Sequence, residues 1–187
     1  CLDITKNDEK NYLTRIMVIW IVGLSGAGKT TIARLLLKKL KKKYSNLVHL
    51  DGDIIRNIYN DKLGYSSKDR NINAERLSKM TKFLSDQKIH VVGSVLSNFP
   101  KWQAWNKKNI KNYYQVYLKV SLKELIKRDK KNIYKKALKG TKKNVVGVDI
   151  KFKEPLNSNL IIDNEKYTKS FSSIINKIIK KTKIKKY

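Results

Sequence analysis

The segment Gly23-Leu24-Ser25-Gly26-Ala27-Gly28-Lys29-Thr30 constrains the fold of this 187-residue chain more than any other feature. It follows an apolar run, Met17–Val22, which is typical of a strand buried on both faces. It precedes Thr30–Lys43, where leucine and isoleucine recur at helical spacing. A glycine-rich turn between a strand and a helix, ending in Lys and Thr, predicts a loop that binds the phosphates of a nucleoside triphosphate.

The residue types in this phosphate loop indicate its chemistry. Glycines let successive backbone N–H groups face an anion, and the positive end of the following helix adds to the attraction. In such loops the lysine, here Lys29, contacts the β- and γ-phosphates, and the hydroxyl of Thr30 binds Mg²⁺. We therefore expect ATP and Mg²⁺ as cofactors; the alternative is a glycine-rich turn with an incidental lysine. The ATP-binding residues predicted from the loop are Gly23, Leu24, Ser25, Gly26, Ala27, Gly28, Lys29, Thr30 and Thr31.

Strand and helix patterns alternate along the rest of the chain. Further strands are predicted at Leu47–Leu50, Ile89–Leu96, Tyr114–Val120 and Leu160–Ile162, and a final helix from about Tyr167. The alternation predicts an α/β fold, a P-loop NTPase three-layer sandwich, with a parallel sheet of about five strands and ligands at their carboxyl ends. We expect one P-loop kinase domain over residues 17–187. Residues 1–16 are either an N-terminal extension or the remnant of an upstream segment.

Two carboxylates, Asp51 and Asp53, come directly after the second predicted strand. Because the carboxyl ends of parallel strands share one edge of a sheet, we expect both beside the phosphate loop. Carboxylates there hold Mg²⁺, directly or through water, and orient an attacking hydroxyl. The alternative is an ordinary turn with solvated acids, but the chain has only 15 acidic residues, and two at this strand end favour a functional role. Thr30 and Asp51 are the predicted metal-binding residues.

The formal charge of +28 leaves two interpretations open. Clustered Lys and Arg indicate a nucleic-acid-binding protein or a polynucleotide kinase. Here the excess is mostly lysine spread over the whole chain, which favours a solvated basic surface. No apolar run approaches the roughly 20 residues of a membrane-spanning helix, and the one cysteine excludes an intrachain disulfide. We therefore expect a cytoplasmic protein with no membrane partner and no nucleic-acid partner.

The sequence resembles the adenylylsulfate kinases from about Met17 to Asn164. Matching positions are the phosphate loop with Thr31, Leu50-Asp51-Gly52-Asp53 with Arg56, Leu63-Gly64-Tyr65, Asp69-Arg70 with Asn73, Ser97, Tyr134-Lys135-Lys136-Ala137, Gly147 and Ile161-Ile162-Asp163-Asn164. The resemblance implies a kinase that transfers the γ-phosphate of ATP to the ribose 3′-hydroxyl of adenosine 5′-phosphosulfate. The expected partner is thus a small-molecule nucleotide acceptor, and a homodimer remains an open alternative.

The resemblance also implies catalytic roles for Lys29, Asp51, Asp53 and Ser97. Ser97 matches a serine often described in the family as a phosphoserine intermediate. We prefer direct in-line transfer, because positioning and positive charge stabilise the transferring group without a covalent step. Ser97 is then a positioning residue or hydrogen-bond donor.

Nucleotide-binding roles follow from the same resemblance. Arg128 matches an arginine near the ATP adenine, and Lys131–Lys143 lies within a segment, residues 128–147, that resembles a lid closing over both nucleotides. Tyr65 matches an aromatic residue that stacks on the acceptor base. The predicted acceptor-binding residues are Asp53, Arg56, Tyr65, Arg70, Asn73, Leu96, Ser97, Lys131 and Val145.

Some positions depart from the family pattern, and they lie on the acceptor side. Ser97-Asn98-Phe99-Pro100 stands where members have Ser-Pro, an aromatic and an Arg; Val145 replaces a lid Phe, and Asn132 a lid glycine. A lost aromatic face weakens base stacking by about 1–3 kcal/mol, and a lost Arg removes a planar guanidinium suited to binding sulfate or phosphate.

Adenylyl sulfate is the first expectation as acceptor, with a role in sulfate activation. Cytidine diphosphoramidate, the acceptor of similar proteins from capsule-biosynthesis clusters, is the alternative, since a smaller pyrimidine tolerates Val145 better.

Two histidines and two tryptophans complete the candidates. His49 and His90 lie on predicted strands outside any metal-ligand cluster, which favours core or strand-end roles. Trp102 and Trp105 follow Pro100, where they either reshape the acceptor pocket or pack on a surface helix.

Overall fold

The structure, a computed structural model, describes residues 16–59, 63–166 and 171–182. In these ranges it contains five strands and seven helices, which alternate as predicted. In chain order they are β1 (Val18–Val22), α1 (Lys29–Leu40), β2 (Leu47–Asp51), α2 (Gly52–Ile58), α3 (Ser67–Asp86), β3 (His90–Val95), α4 (Pro100–Asn109), β4 (Tyr113–Lys119), α5 (Leu122–Arg128), α6 (Ile133–Leu138), β5 (Leu160–Asp163) and α7 (Ser172–Lys181).

The strands form one parallel sheet in the order β2-β3-β1-β4-β5. The predicted α/β fold with a parallel sheet of about five strands is therefore confirmed. Strand β1 is central and buried along its whole length, as its continuous apolar run predicted. Strands β3 and β4 lie on the two sides of β1, and the strand order changes direction there. In such sheets the ligand crevice opens at the carboxyl end of the central strand, here β1.

Apolar side chains pack on both faces of the sheet and form the two outer layers. On one face Ile19 and Ile21 of β1 belong to a cluster with residues of α1 and α7. On the other face Trp20 belongs to a cluster with Ile55 of α2 and Leu77 of α3. Because successive strand residues point to opposite faces, one five-residue strand supplies both cores.

Several element boundaries differ from the sequence prediction. The first helix ends at Leu40, its last buried residue, rather than at Lys43. The polar helix-compatible region is two helices, because Asp51 caps α2 and Ser66 caps α3 by accepting hydrogen bonds from backbone N–H groups two and three residues ahead. The final helix begins at Ser172, and its predicted start at Tyr167 lies outside the described residues.

Trp102 has a packing role. It is 7% exposed, and its indole N–H donates a hydrogen bond to Asn71 Oδ1 at 3.0 Å, which fixes α4 against α3. Its ring meets Trp105 edge-on at 5.9 Å between centroids.

Among the helices of the described ranges, none combines the length and apolar character needed to cross a bilayer.

Candidate active site

The phosphate loop lies at the carboxyl end of β1 and leads into α1. Gly26 and Gly28 have φ angles of 78° and 95°, in the left-handed region that favours glycine. A Cβ atom at Gly23 would stand 2.7 Å from the carbonyl oxygen of Leu118, so a larger residue would displace the strand. In the described structure the first turn of α1 has no side-chain cap and no acidic residue. Its N–H groups are therefore available to an anion.

The other loop residues fix the shape of the loop. Leu24 and Ala27 are buried, and Ala27 N–H donates a hydrogen bond to the Leu24 carbonyl at 3.2 Å. Asn164, directly after β5, donates from Nδ2 to the Ala27 carbonyl at 3.0 Å. Ser25 is half-buried, and Thr31 is exposed on the first turn of α1. The loop is thus attached to the sheet at a point between its last two glycines.

Lys29 turns back toward the loop that precedes it. Its Nζ donates a hydrogen bond to the Leu24 carbonyl at 2.8 Å. Burial lowers the pKa of Lys29 to about 8, while the carboxylates of Asp51 and Asp53 oppose this shift. Negative charge on bound phosphates would raise the pKa again. Lys29 is therefore a desolvated cation whose charge an approaching phosphate would stabilise.

Asp51 ends β2 and accepts three hydrogen bonds. Its Oδ2 accepts from Thr30 Oγ1 at 3.0 Å and from Ser94 Oγ at 2.6 Å, and its Oδ1 accepts from Asp53 N–H at 3.0 Å. Burial alone would raise the pKa of Asp51, but these hydrogen bonds outweigh it and lower the pKa below its ordinary value. Asp51 is therefore a buried carboxylate that is ionised at neutral pH.

Thr30 and Asp51 fit a magnesium ion. They supply hydroxyl and carboxylate oxygens, the ligand type that Mg²⁺ prefers. The Thr30 hydroxyl donates its hydrogen bond to Asp51, so the lone pairs of Thr30 Oγ1 can face a cation. The described ranges contain no group of three or more His, Cys, Asp or Glu side chains that could hold a metal. A magnesium ion bound mainly through phosphates with one or two protein ligands needs no such group.

A second set of hydrogen bonds lies behind Asp51. The register of β2 and β3 pairs Asp51 with Ser94, and Ser94 Oγ lies 2.9 Å from His49 Nε2. Since the Ser94 hydroxyl donates to Asp51, His49 Nε2 donates to Ser94. Burial lowers the pKa of His49, which favours this neutral tautomer. His49 thus has the strand-end role that its sequence position suggested.

Arg56 of α2 and Arg70 of α3 converge on Tyr65. Their guanidinium carbons lie 4.7 Å and 5.2 Å from the centre of the Tyr65 ring. Arg56 Nη1 donates to the Gly64 carbonyl at 2.6 Å, and Arg70 Nε donates to the Tyr65 carbonyl at 2.8 Å. The Tyr65 side chain is 46% exposed. Two cations beside an exposed ring suit an anionic nucleotide.

Asp53 and Asn73 connect this arginine pair to the phosphate loop. Asp53 is exposed, and its carboxylate is close enough to both Lys29 and Arg70 to oppose the lowering of their pKa values by burial. Asn73 Nδ2 donates to the Gly52 carbonyl at 3.0 Å. Its buried Oδ1 has no hydrogen-bond partner among the described residues. A ligand that donates a hydrogen bond would complete the pairing of this amide.

Two hydrogen bonds join the predicted lid, residues 128–147, to the phosphate loop and to the arginine pair. The hydroxyl of Tyr134, a residue 1% exposed on α6, donates to the Ser25 carbonyl at 2.8 Å. Farther along, the Asn144 carbonyl accepts from Arg70 Nη2 at 2.9 Å. Lys131 is exposed between α5 and α6. One contact reaches the phosphate loop, and the other reaches the predicted acceptor site.

Arg128 and Val145 lie near the two ends of the lid. Arg128 donates to Glu124 Oε1 and to the Asn164 carbonyl, both at 2.9 Å, which places its guanidinium at the carboxyl edge of β5. Its predicted contact with adenine stays a prediction. Val145 is 3% exposed and belongs to the core cluster that also includes residues of α1, so it presents no open face to a ligand.

Ser97 follows β3 at the same edge of the sheet. Its φ of 52° is left-handed, a conformation uncommon outside glycine. Gln103 Nε2 donates to the Ser97 carbonyl at 2.9 Å. Leu96, just before it, is half-buried against the core. A non-glycine residue in this conformation near a ligand crevice is a feature of functional sites.

The structure brings the loop lysine and threonine, the two aspartates and the two arginines into one continuous site. Sequence reasoning missed Ser94 and Gln103. Aligning the carboxyl ends of β2 and β3 would have found Ser94, because the register places it opposite Asp51. Gln103 offered no such signal, since its contact with Ser97 depends on the direction of α4.

A parallel sheet with a phosphate loop after its central strand, followed by a lysine, a threonine and a carboxylate pair, defines a P-loop phosphotransferase. Comparison with known proteins identifies the family. A family model described as adenylylsulphate kinase matches residues 15–163. This chain belongs to that family and is a kinase whose relatives phosphorylate hydroxyl acceptors.

Two curated relatives differ in acceptor. The cytidine diphosphoramidate kinase of Campylobacter jejuni is 44% identical over 150 residues, covering 79% of this chain and 85% of that protein. The probable adenylyl-sulfate kinase of Archaeoglobus fulgidus is 38% identical over 149 residues, covering 80% and 96%. Among solved structures, the Mycobacterium tuberculosis APS kinase CysC in complex with AMPPNP and APS has a TM-score of 0.79 at 30% identity, covering 89% of this chain and 97% of that one.

Proposed function

We propose that this kinase transfers the γ-phosphate of ATP to the ribose 3′-hydroxyl of a small nucleotide, and that the nucleotide is cytidine diphosphoramidate. The observation that carries the reaction is the continuity of the site. Thr30 of the phosphate loop and the Asp53 N–H both donate hydrogen bonds to Asp51. Asn73, which lies on α3 with Arg70, donates one to the Gly52 carbonyl. Donor and acceptor groups therefore lie along one edge of the sheet, as transfer between two bound nucleotides requires.

The donor side binds ATP through the loop N–H groups, the amino end of α1 and Lys29. Thr30 and Asp51 would hold Mg²⁺, which supplies positive charge to the β- and γ-phosphates. Ser94 and the Asp53 N–H keep Asp51 ionised and oriented. Lys29 stabilises the negative charge that develops as the γ-phosphate leaves.

On the acceptor side, Arg56 and Arg70 bind the acidic part of the acceptor and Tyr65 stacks on its base. The carboxylate of Asp53 accepts a hydrogen bond from the 3′-hydroxyl and orients it. The hydroxyl oxygen then attacks the γ-phosphorus in line, and its proton passes to the Asp53 carboxylate. The bond between the γ-phosphorus and the β–γ bridging oxygen breaks, and ADP leaves. Direct transfer needs no covalent enzyme intermediate, so we assign Ser97 a role in positioning the reactants and not in accepting the phosphate.

Two observations favour cytidine diphosphoramidate as the acceptor. Identity is higher to the Campylobacter enzyme of that name than to the Archaeoglobus adenylyl-sulfate kinase, 44% against 38%. The departures from the family pattern at Asn98, Pro100 and Val145 also fall at positions that the resemblance predicts to be on the acceptor side. Val145 offers no aromatic face and is buried, so it gives a purine no second stacking surface.

Adenylyl sulfate, the first expectation from the sequence, is the second candidate. The family model that matches residues 15–163 favours it, as does the fold shared with the APS-bound Mycobacterium enzyme. The two acceptors share the reacting 3′-hydroxyl and differ in base and acidic group. The chemistry of the transfer is the same for both acceptors, so only a measurement of substrate specificity distinguishes the two candidates.

A side-by-side assay with ATP, Mg²⁺ and each acceptor tests the proposal, with the phosphorylated product resolved. We expect kcat/KM for cytidine diphosphoramidate to exceed that for adenylyl sulfate by at least about 10-fold, which is about 1.4 kcal/mol. A preference for adenylyl sulfate would contradict the acceptor assignment, and equal inactivity on both would contradict the function. A 5′-hydroxyl oligonucleotide in a third reaction tests the polynucleotide-kinase alternative, for which we expect no product.

Tyr65 variants test the acceptor site itself. Tyr65→Leu should raise the acceptor KM about 5- to 150-fold, because base stacking contributes about 1–3 kcal/mol. Tyr65→Phe keeps the ring and serves as the matched control, with a KM near that of the wild type. The KM for ATP should stay unchanged in both, since Tyr65 contacts the arginines and not the phosphate loop.

A further inference from the structure

Asn98, which follows Ser97, joins two segments that are distant in sequence. Its side chain is buried, with 6% of the residue exposed. Its Nδ2 donates to the Lys151 carbonyl at 3.0 Å, and its Oδ1 accepts from the Lys153 N–H at 2.7 Å. One side-chain amide therefore pairs with the backbone of two alternate residues, as a neighbouring strand would. We call these two hydrogen bonds the Asn98 clamp.

The clamp lies beside a backbone position that is unfavourable by itself. Ser97 has a φ of 52°, and a serine keeps this conformation only where its surroundings hold it. Gln103 holds its carbonyl from α4 at 2.9 Å, and the Asn98 clamp holds the next residue. These contacts hold the Ser97 carbonyl and the residue that follows it.

The segment on the other side of the clamp continues directly from the lid. Gly147 N–H donates to the Ile150 carbonyl at 2.8 Å, and Val146 forms a β-bridge with Ile150. Residues 151–153 follow this turn without a break, and Phe152 packs against Tyr117 of β4 at 6.2 Å between ring centroids. A short, hydrogen-bonded stretch of backbone therefore links residues 146–150 to Lys151 and Lys153, the two partners of Asn98.

We propose that Asn98 is a positioning residue that couples the lid to Ser97, so that lid closure over nucleotide fixes the acceptor-side loop in its reactive geometry. The inference rests on the proposed function, in which Ser97 acts by position. The alternative is that Asn98 contributes only to stability. A coupling role predicts loss of productive transfer, whereas a structural role predicts loss of stability alone.

Asn98→Ala tests the coupling, and Asn109→Ala is the matched control, because Asn109 also donates from its amide to a backbone carbonyl, that of Trp105 at 2.8 Å. For Asn98→Ala we expect kcat to fall about 10- to 100-fold, the cost of a small misplacement at a reacting group. The KM for ATP should stay within about twofold, because the phosphate loop is untouched. Acceptor phosphorylated per ATP consumed should fall, as water replaces the acceptor. Asn109→Ala should alter only the melting temperature.

Amide hydrogen exchange gives a readout that does not depend on the acceptor. ADP should slow exchange at residues 97–99 in the wild type and should not do so in Asn98→Ala. In that variant the Lys153 amide should exchange faster without ligand, which shows that the clamp is broken. If Asn98→Ala is poorly folded, Asn98→Asp keeps the oxygen that faces Lys153 and should show intermediate effects.

The outcomes separate this inference from the proposed function. A broken clamp with unchanged kcat and unchanged coupling of ATP use to transfer would overturn the inference and leave the function intact. A wild type inactive on both acceptors would contradict the function; the exchange response to ADP then decides the inference. Retained protection of residues 97–99 in Asn98→Ala would overturn it, and lost protection would support it.

Discussion

The hydroxyl of Tyr134 donates a hydrogen bond to the carbonyl of Ser25 at 2.8 Å and so joins helix α6 of the lid to the phosphate loop. Burial raises the pKa of Tyr134 above its ordinary value, so this hydroxyl is protonated and can donate at neutral pH. From the other side, Asn164 donates to the carbonyl of Ala27. The loop is therefore shaped by the lid and by the end of β5 together.

Replacing Tyr134 with Phe removes this hydrogen bond and keeps the ring. We expect the free energy of unfolding to fall by about 1 kcal/mol, the typical net contribution of one hydrogen bond. The KM for ATP should rise several-fold, because a less constrained loop loses more entropy on binding. Initial rates against ATP concentration measure this effect.

Tyr113→Phe is the control for the Tyr134 variant. The Tyr113 hydroxyl donates to Gln115 Oε1 at 2.7 Å on β4, away from the loop. Its loss should lower stability by a similar amount and leave the KM for ATP unchanged. If both variants keep the wild-type KM, the lid contact has no part in binding ATP.

Lys29→Ala should lower kcat by about 1,000-fold, because it removes a charge that stabilises the transition state in a desolvated site. Lys39→Ala is a suitable control, because Lys39 lies on the exposed side of the same helix. Its Nζ donates a hydrogen bond to Asn176 Oδ1 at 2.7 Å. That variant should turn over at the wild-type rate. Single-turnover measurements with ATP and acceptor distinguish slow chemistry from weak binding. Near-normal turnover of Lys29→Ala would remove the phosphate loop from the reaction.

Local patterns were sufficient to predict the sheet, the phosphate loop and the position of Asp51. Each has a signal within a few residues: an apolar run for β1, glycines before Lys29, a carboxylate where a strand stops. Parallel strands then bring their carboxyl ends to one edge whatever the rest of the chain does. This part of the site is a consequence of secondary structure alone.

Contacts between segments distant in sequence had no such signal. The hydrogen bond from Arg70 to the Asn144 carbonyl spans 74 residues, and the Asn98 clamp spans 53 and 55. Each depends on which loops meet once the sheet order is set. Val145 was predicted to bind the acceptor, and its burial in the core cluster had no local signal for the same reason.

Gly93 and Trp20 form a tight contact between neighbouring strands β3 and β1. The register pairs them directly, and a Cβ atom at Gly93 would lie 2.4 Å from Trp20 Cε3. Gly93→Ala should therefore lower the free energy of unfolding by about 1–3 kcal/mol through overpacking. Urea denaturation of the single and double variants with Trp20→Leu measures the coupling. The double variant should recover much of the loss, and strictly additive effects would exclude the contact as the cause.

Acid destabilisation should depend on His90. This residue is 1% exposed, and its Nδ1 accepts a hydrogen bond from the Met17 N–H at 3.1 Å, so the folded chain holds it neutral. Burial lowers its pKa below the ordinary 6.5. Between the lowered folded pKa and 6.5 the unfolded chain binds more protons, so the contribution of His90 is complete above pH 6.5 and is lost as the pH falls below it.

His90→Asn isolates this effect, because the Asn oxygen can accept from the Met17 N–H at nearly the place of Nδ1 and does not titrate. We expect the free energy of unfolding of the wild type to fall between pH 7 and pH 5, with a slope of at most about 1.4 kcal/mol per pH unit from this one group. The variant should show a shallower slope, with the remainder coming from His49, whose pKa burial also lowers. Denaturant melts at several pH values measure both slopes. Parallel curves for the two proteins would show that His90 is protonated equally in the folded and unfolded chains.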